Sequence, residues 1–392
     1  MKLDPQDVAL CLGHDEDLAA HQGAVMPPIY QSSLFVQESF ERLAQGLAAE
    51  HANFVYTRGR NPTVAELERK LARLEQGDAG IAFASGIGAI AAIFFALLSR
   101  GDHILFVNQN YGPTVKLAGS LERFGIEHDV VLDLGTDAVA SALRPDTRLI
   151  WFESPGSMLN RVLDVPALAA LARERGILTA IDNSWATPLL QKPLTQGIDI
   201  SMHTCTKYIG GHSDVVGGVL VTREDLYERI FHEGFMQLGS TLSPHDAWLL
   251  IRGLRTLPAR LEQHERGGRE VAAFLAGHSR VAEVYYPDVD EPGSLAARQL
   301  RGGNGMVSLR LDGAPERLGQ EVRRVIDRLR YFHTAVSWGG VESLAVAPAA
   351  KTSGGPANAD AMGIPPGLIR LSVGLEPPEL LIEDLDRALR GD

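Results

Sequence analysis

Cysteine is nearly absent from this chain of 392 residues, which carries only Cys11 and Cys205. Two thiols exclude a disulfide framework and a Cys-based zinc site, so no metal centre is expected. Long apolar runs are missing too. The longest, Ala89 to Leu98, is too short to span a bilayer, and the acidic opening MKLDPQDVALCLGHDEDL lacks the apolar centre of a signal peptide. These absences predict a cytoplasmic protein with no membrane partner. Positive charge is in deficit: 37 Lys and Arg stand against 49 Asp and Glu, a formal net charge of -12. Such a surface disfavours nucleic acid and anionic lipid, and any anionic ligand must be held by a local pocket. No internal repeat, low-complexity tract or heptad run occurs. What is present, 45% hydrophobic and 22% charged residues, fits a globular protein of two or more lobes.

Residues 1 to 58 read as an arm, in which Pro27 and Pro28 forbid regular helix ahead of a helical pattern from Glu38 to Glu50. Asn61-Pro62-Thr63 then opens an amphipathic helix with Leu67, Leu71 and Leu74 among its apolar positions. From Gln76 to about Val221 strands and helices alternate. IAFAS, HILFV, EHDVVL, RLIWFE, ILTAID and IDISMHTCT read as strands; GIGAIAAIFFALLSR, YGPTVKLAGSLERF and VPALAALARER read as helices. Alternation of this kind means crossover connections and an α/β domain, here residues 59 to 247, with a mostly parallel sheet covered on both faces. Ligands in such sheets sit beyond the carboxyl ends of the strands. A long helix follows from about Ser243, expected to break at Pro258, and leads into a smaller α+β domain over residues 248 to 392. That domain contains the strands MVSLRL and LIRLSVGL and a helix from Pro315 to Leu329.

The stretch DISMHTCTKYIGGHSDVVGGVL, Asp199 to Leu220, carries the clearest chemistry. A strand ends in Thr204, Thr206 and Lys207, and glycines follow. Two hydroxyls can seat a phosphate there while the lysine amine is aimed at a carbonyl, which is what a pyridoxal phosphate (PLP) site requires. Cys205, turned away from the threonines by strand alternation, reads as a core residue. Ser85, Gly86 and Ile87 stand where another strand passes into a helix, so free N–H groups and the positive helix end face the crevice. Asp182 ends ILTAID, where a buried carboxylate needs a cationic partner such as a protonated pyridine nitrogen. Tyr111 opens the helix after HILFV. Arg370 lies on an otherwise apolar strand and calls for an anion. Gly86 to Ala91 also satisfies GxGxxA, the loose dinucleotide fingerprint, so an NAD-dependent dehydrogenase is a second class of reading; no acidic residue stands where a ribose would need one. A third is a non-catalytic scaffold, disfavoured because these residues are all intact.

Residues 199 to 220 resemble the cofactor-lysine segment of the Cys/Met-metabolism PLP enzymes, which include cystathionine β-lyase, γ-lyase and γ-synthase. YTRGRNPT, NQNYGPT and ESPGS extend the likeness over most of the chain from about Tyr30. The resemblance implies the aspartate aminotransferase-like fold of PLP-dependent transferases. It implies that Lys207 is the catalytic lysine, that Tyr111 stacks on the pyridine and helps move protons, and that Tyr56 and Arg58 reach across a dimer to the neighbour's phosphate. It further implies that Arg370 grips the α-carboxylate of an amino-acid substrate beside Ser337 and Trp338. A homodimer with shared sites, assembling into a tetramer, follows from the same likeness.

Where the bond breaks is a mixed signal. ESPGS and the SWGG around Trp338 resemble β-lyases, and Val336 stands where γ-lyases of cystathionine place a Glu. The sequence therefore points to β-elimination from a thioether amino acid, cystathionine first. The alternative is a γ-acting enzyme: a cystathionine γ-lyase, a γ-synthase-type replacement, or a γ-lyase on another substrate such as canavanine. AMGIPPGLIRLSVGLEPPELLIEDL resembles the γ-acting members, and Ala347 to Gly363 departs from both patterns and could line the pocket.

Overall fold

The computed structural model describes residues 1–349 and 362–391, so the expectation for Ala347 to Gly363 lies largely outside the described residues. Helix α1 (Pro5–Leu12) is docked against the body of the protein, with Cys11 buried and Asp7 paired with Lys192 at 3.1 Å. Helix α2 (Phe40–Ala48) lies in a different setting, flanked by exposed apolar side chains. Helix α3 (Pro62–Glu75) starts as its sequence dictates: the Asn61 side chain accepts the Thr63 N–H at 3.0 Å and Pro62 occupies the first turn. Its apolar stripe, Leu67, Leu71 and Leu74, is fully buried.

Seven strands form the larger sheet: β1 (Ala79–Phe83), β2 (His103–Val107), β3 (Glu127–Val131), β4 (Thr147–Glu153), β5 (Leu178–Asp182), β6 (Ile200–Thr204) and β7 (Gly218–Thr222). Their order is β1-β7-β6-β5-β4-β2-β3, and β2 to β6 pair in parallel. Strand β7, absent from the sequence-based inventory, enters antiparallel between β1 and β6. It passes so close to the end of β1 that a Cβ on Gly218 would lie 2.6 Å from the Ser85 carbonyl oxygen, which only glycine permits. Helix α4 (Gly86–Leu97) packs against β6 and β7, and helix α5 (Gly112–Leu121) follows β2. Edge-to-face packing of Phe94 on Trp151, centroids 5.5 Å apart, anchors α4 to the sheet.

The smaller sheet runs β10-β11-β12-β9-β8, from β8 (Val281–Tyr285), β9 (Met306–Leu311), β10 (His333–Thr334), β11 (Leu344–Val346) and β12 (Leu368–Ser372). One helix, Pro244–Ala276, serves both layers: Leu250, Leu254 and Leu261 join the core under the large sheet, Val271 and Leu275 that of the small one. The expected break at Pro258 does not occur. Proline removes the backbone donor to the Leu254 carbonyl, but Pro258 is buried and the helix is held on both sides of it by Leu254, Leu257 and Leu261 in the core. Among the described residues no helix is long and apolar enough to cross a membrane, and no His, Cys, Asp or Glu cluster could hold a metal.

Candidate active site

Strands β1, β4, β5 and β6 run in one direction and deliver their last residues to one crevice. Lys207 follows β6, and its Nζ donates to Ser337 Oγ at 2.6 Å while lying 5.4 Å from the Trp338 ring centroid. Burial, reinforced by the charge of Arg370, pulls the Lys207 amine down to about 8. Ser337 is held in the left-handed region, φ 86, a cost accepted where the surroundings fix the residue. Its hydroxyl meets Lys207, and its carbonyl accepts the Arg370 guanidinium at 3.2 Å. Lys207, Ser337, Trp338 and Arg370 are thus brought together from three separate stretches.

Arg370 is buried, and burial pulls it down to about 10. Among the described residues it has no ion pair; its remaining polar contact is Met158 Sδ at 3.8 Å. A guanidinium in that state is a receptor for a carboxylate. Tyr111, half exposed at the start of α5, lies near enough for its phenol to act on Arg370 electrostatically.

Asp182 closes β5 and is buried, which raises its carboxyl above the usual range against the opposing pull of Ser184. Ser184 gives it two hydrogen bonds on Oδ1, from the backbone at 3.0 Å and the hydroxyl at 2.5 Å, and the same hydroxyl accepts the Thr204 N–H at 2.6 Å. The bridge ties the end of β5 to the end of β6. Thr204 and Thr206 both reach the Gly217 carbonyl, at 3.4 Å each. Opposite them, Ser85 caps α4 by accepting the Gly88 N–H at 3.1 Å, and a Cβ on Gly86 would lie 2.7 Å from that of Thr204. Thr204 therefore stands against the first turn of α4, where Gly86 and Ile87 belong to the turn whose amides have no acceptor inside the helix. A phosphate fits that cradle of hydroxyls and amides. A ring cation fits the buried Asp182, whose carboxyl burial alone would neutralise. The residues present suit pyridoxal phosphate.

Tyr56 and Arg58 are not part of this cluster within the chain. Arg58 lies over the Tyr56 ring at 5.5 Å, and both line a surface groove of about 830 Å3 with Leu34, Val36 and Phe40. Two contributors escaped the sequence reading. Ser184 carried a weak signal, an Asp two residues ahead in a turn-forming pattern. Glu153 was visible as the end of a strand, yet nothing in its spacing disclosed that it sits beside Asp182 across the β4–β5 pairing.

Comparison with known proteins agrees with this geometry. Residues 9–390 match the family model of the Cys/Met metabolism PLP-dependent enzymes. The L-methionine γ-lyase of Fusobacterium nucleatum is 38% identical over 374 residues, 94% of either chain. A cystathionine γ-synthase of Mycobacterium tuberculosis is 40% identical over 390 residues, 98% of this chain and 96% of that one. In three dimensions the chain is similar to a cystathionine γ-lyase from Lactobacillus plantarum complexed with L-serine, with a TM-score of 0.88 and 37% identity over 100% of this chain and 99% of the other. These names favour the γ-acting alternative over the β-lyase first expected, and they leave no place for a nicotinamide dehydrogenase. With the strand-end lysine, the buried Asp182 and the α4 cradle in one crevice, the chain belongs to the Cys/Met metabolism PLP-dependent enzyme family.

Proposed function

We propose that the protein acts at Cγ of a sulfur amino acid, eliminating a thiol from a methionine-type substrate to give 2-oxobutyrate and ammonia. The observation that carries this reading is the pairing of Lys207 and Arg370 on Ser337, at 2.6 and 3.2 Å, with apolar Trp338 and Met158 beside them. Arg370 suits the α-carboxylate, which leaves the Cα and Cβ hydrogens within reach of one amine. When bound, pyridoxal phosphate supplies the electron sink that makes those hydrogens acidic. Lys207 then takes the Cα proton; a leaving group at Cγ requires a second proton removal, from Cβ, which the same amine can perform. An amine pulled down to about 8 is partly free base near neutral pH, as that work demands. Ser337 orients the amine between the two positions. Tyr111, half exposed and acting on Arg370, is assigned the return of a proton to the departing sulfur.

Two features favour an uncharged distal group. Val336 is 79% exposed and offers no carboxylate to a distal ammonium, and an indole, Trp338, and a thioether, Met158, lie beside Lys207 and Arg370. Thr204, Thr206, Ser85, Gly86 and Ile87 are assigned to the phosphate and Asp182 to the ring nitrogen. Tyr56 and Arg58, which have no task within one chain, are assigned to the phosphate of a second copy, so the working unit is a homodimer that pairs into a tetramer. Incubation with L-methionine and with cystathionine tests the reading. Release of 2-oxobutyrate with methanethiol is expected from methionine; pyruvate with homocysteine from cystathionine, and nothing from methionine, would restore the β-lyase.

A further inference from the structure

One buried carboxyl has no task in that scheme. Glu153 closes β4 beside Asp182 and is only 4% exposed. Its two oxygens are shared between two loops: Oε1 accepts the backbone N–H of Tyr111, and Oε2 accepts that of Ser157 at 3.2 Å. Tyr111 is the N-cap of α5, and among the described residues its phenol has no hydrogen-bond partner. The place of the ring is therefore set through its backbone.

The surroundings are built for this approach. Asn108, in the left-handed region at φ 68, donates to the Glu153 carbonyl at 2.9 Å and the Arg161 carbonyl at 3.3 Å. A Cβ on Gly156 would lie 2.9 Å from Asn108 Nδ2, so glycine allows the two loops to meet. Glu153 feels opposed pulls. Burial and the charge of Asp182 push it up, whereas the Ser157 side chain and the two amides favour the ion. A group with an amide on each oxygen acts as a two-sided acceptor, and an amide side chain cannot replace it without turning an NH2 toward one donor.

We propose that Glu153 is a positioning residue that clamps the Tyr111 loop and the Ser157 turn to the end of β4, and so fixes the tyrosine ring at the reacting centre. The proposal rests on Tyr111 being a site residue, as read above. Amide hydrogen exchange of the holoenzyme tests the clamp without any turnover. The Tyr111 N–H, outside the helix ladder, should exchange at least about 10-fold more slowly than a free loop amide, and Glu153→Gln, which keeps a single acceptor oxygen, should abolish the protection of the Tyr111 or the Ser157 amide. An unprotected Tyr111 amide in the unmodified enzyme overturns the clamp, and this arm holds even if the variant does not fold. A cycle on kcat/KM then separates the clamp from the reading beneath it. With Glu153→Gln, Tyr111→Ala and the double variant, the double should match Tyr111→Ala to within about 2-fold, since both remove the same ring placement. Effects that multiply would overturn the positioning role. A Tyr111→Ala enzyme with unchanged kcat/KM would instead overturn Tyr111 as a site residue, and the positioning role with it.

Discussion

The crevice around Lys207 and the stretch from Ile29 to Arg58 are built in opposite ways. In the crevice several polar groups are buried and meet partners within the chain: Ser337 meets Lys207, Ser184 meets Asp182, and Glu153 meets two amides. Along the arm, Val36 is 91% exposed, Phe40 85% and Tyr56 45%, with Arg58 resting on Tyr56. A sheet that gathers strand ends can complete most of a site by itself. An apolar surface with a cation beside it is what the proposed homodimer would cover.

The largest expected effect lies on the crevice side. Lys207→Ala should lower turnover by roughly 10³-fold while the melting temperature stays close to that of the parent, because the amine makes one hydrogen bond that no core contact depends on. Arg370→Ala should cost about 10²-fold in kcat/KM, mostly through KM, since a buried fork that meets a carboxylate is removed. On the arm side, mixing Lys207→Ala with Arg58→Ala subunits should recover activity. Random pairing leaves about a quarter of the sites free of both changes if the contact crosses the dimer; no recovery in a verified hybrid would return Arg58 to a role within its own chain. Gly339→Ala should destabilise by about 1–3 kcal/mol in a denaturant titration, because φ is 81 and a Cβ would lie 2.8 Å from the Tyr208 nitrogen. The smallest effect is a pH slope. Lys207 in the folded, cofactor-free protein loses its proton near 8 rather than at its ordinary 10.5, so between those values the unfolded chain binds more protons. Stability should therefore rise with pH across that window, and Lys207→Met should flatten the rise.

The large sheet was legible because its strands are short apolar runs ended by turn residues. HILFV was read as residues 103 to 107, where β2 lies, and ILTAID ends at Asp182, as β5 does. Strand β7 was not, since GVLVT follows a glycine tract that masks its register and its antiparallel pairing depends on strands far away in sequence. Pro258 misled for a related reason: local chemistry ends a helix there, while Leu254, Leu257 and Leu261 on either side are held by core packing that only the fold supplies. In the site, Asp182 and Arg370 announce themselves by charge at apolar strand positions, and Lys207 by following an apolar strand. Glu153 acts on backbone amides of two loops and Ser184 on that of Thr204 in β6, contacts that residue type does not encode.

The central claim is that the strand-end crevice is the reacting centre and that Lys207 carries the cofactor. Borohydride reduction of the holoenzyme, followed by digestion and mass spectrometry of the peptides, tests it most directly. A single pyridoxyl label on Lys207, absent after Lys207→Ala, is the result expected from the geometry. A label on any other lysine, with Lys207 recovered unmodified, would contradict it.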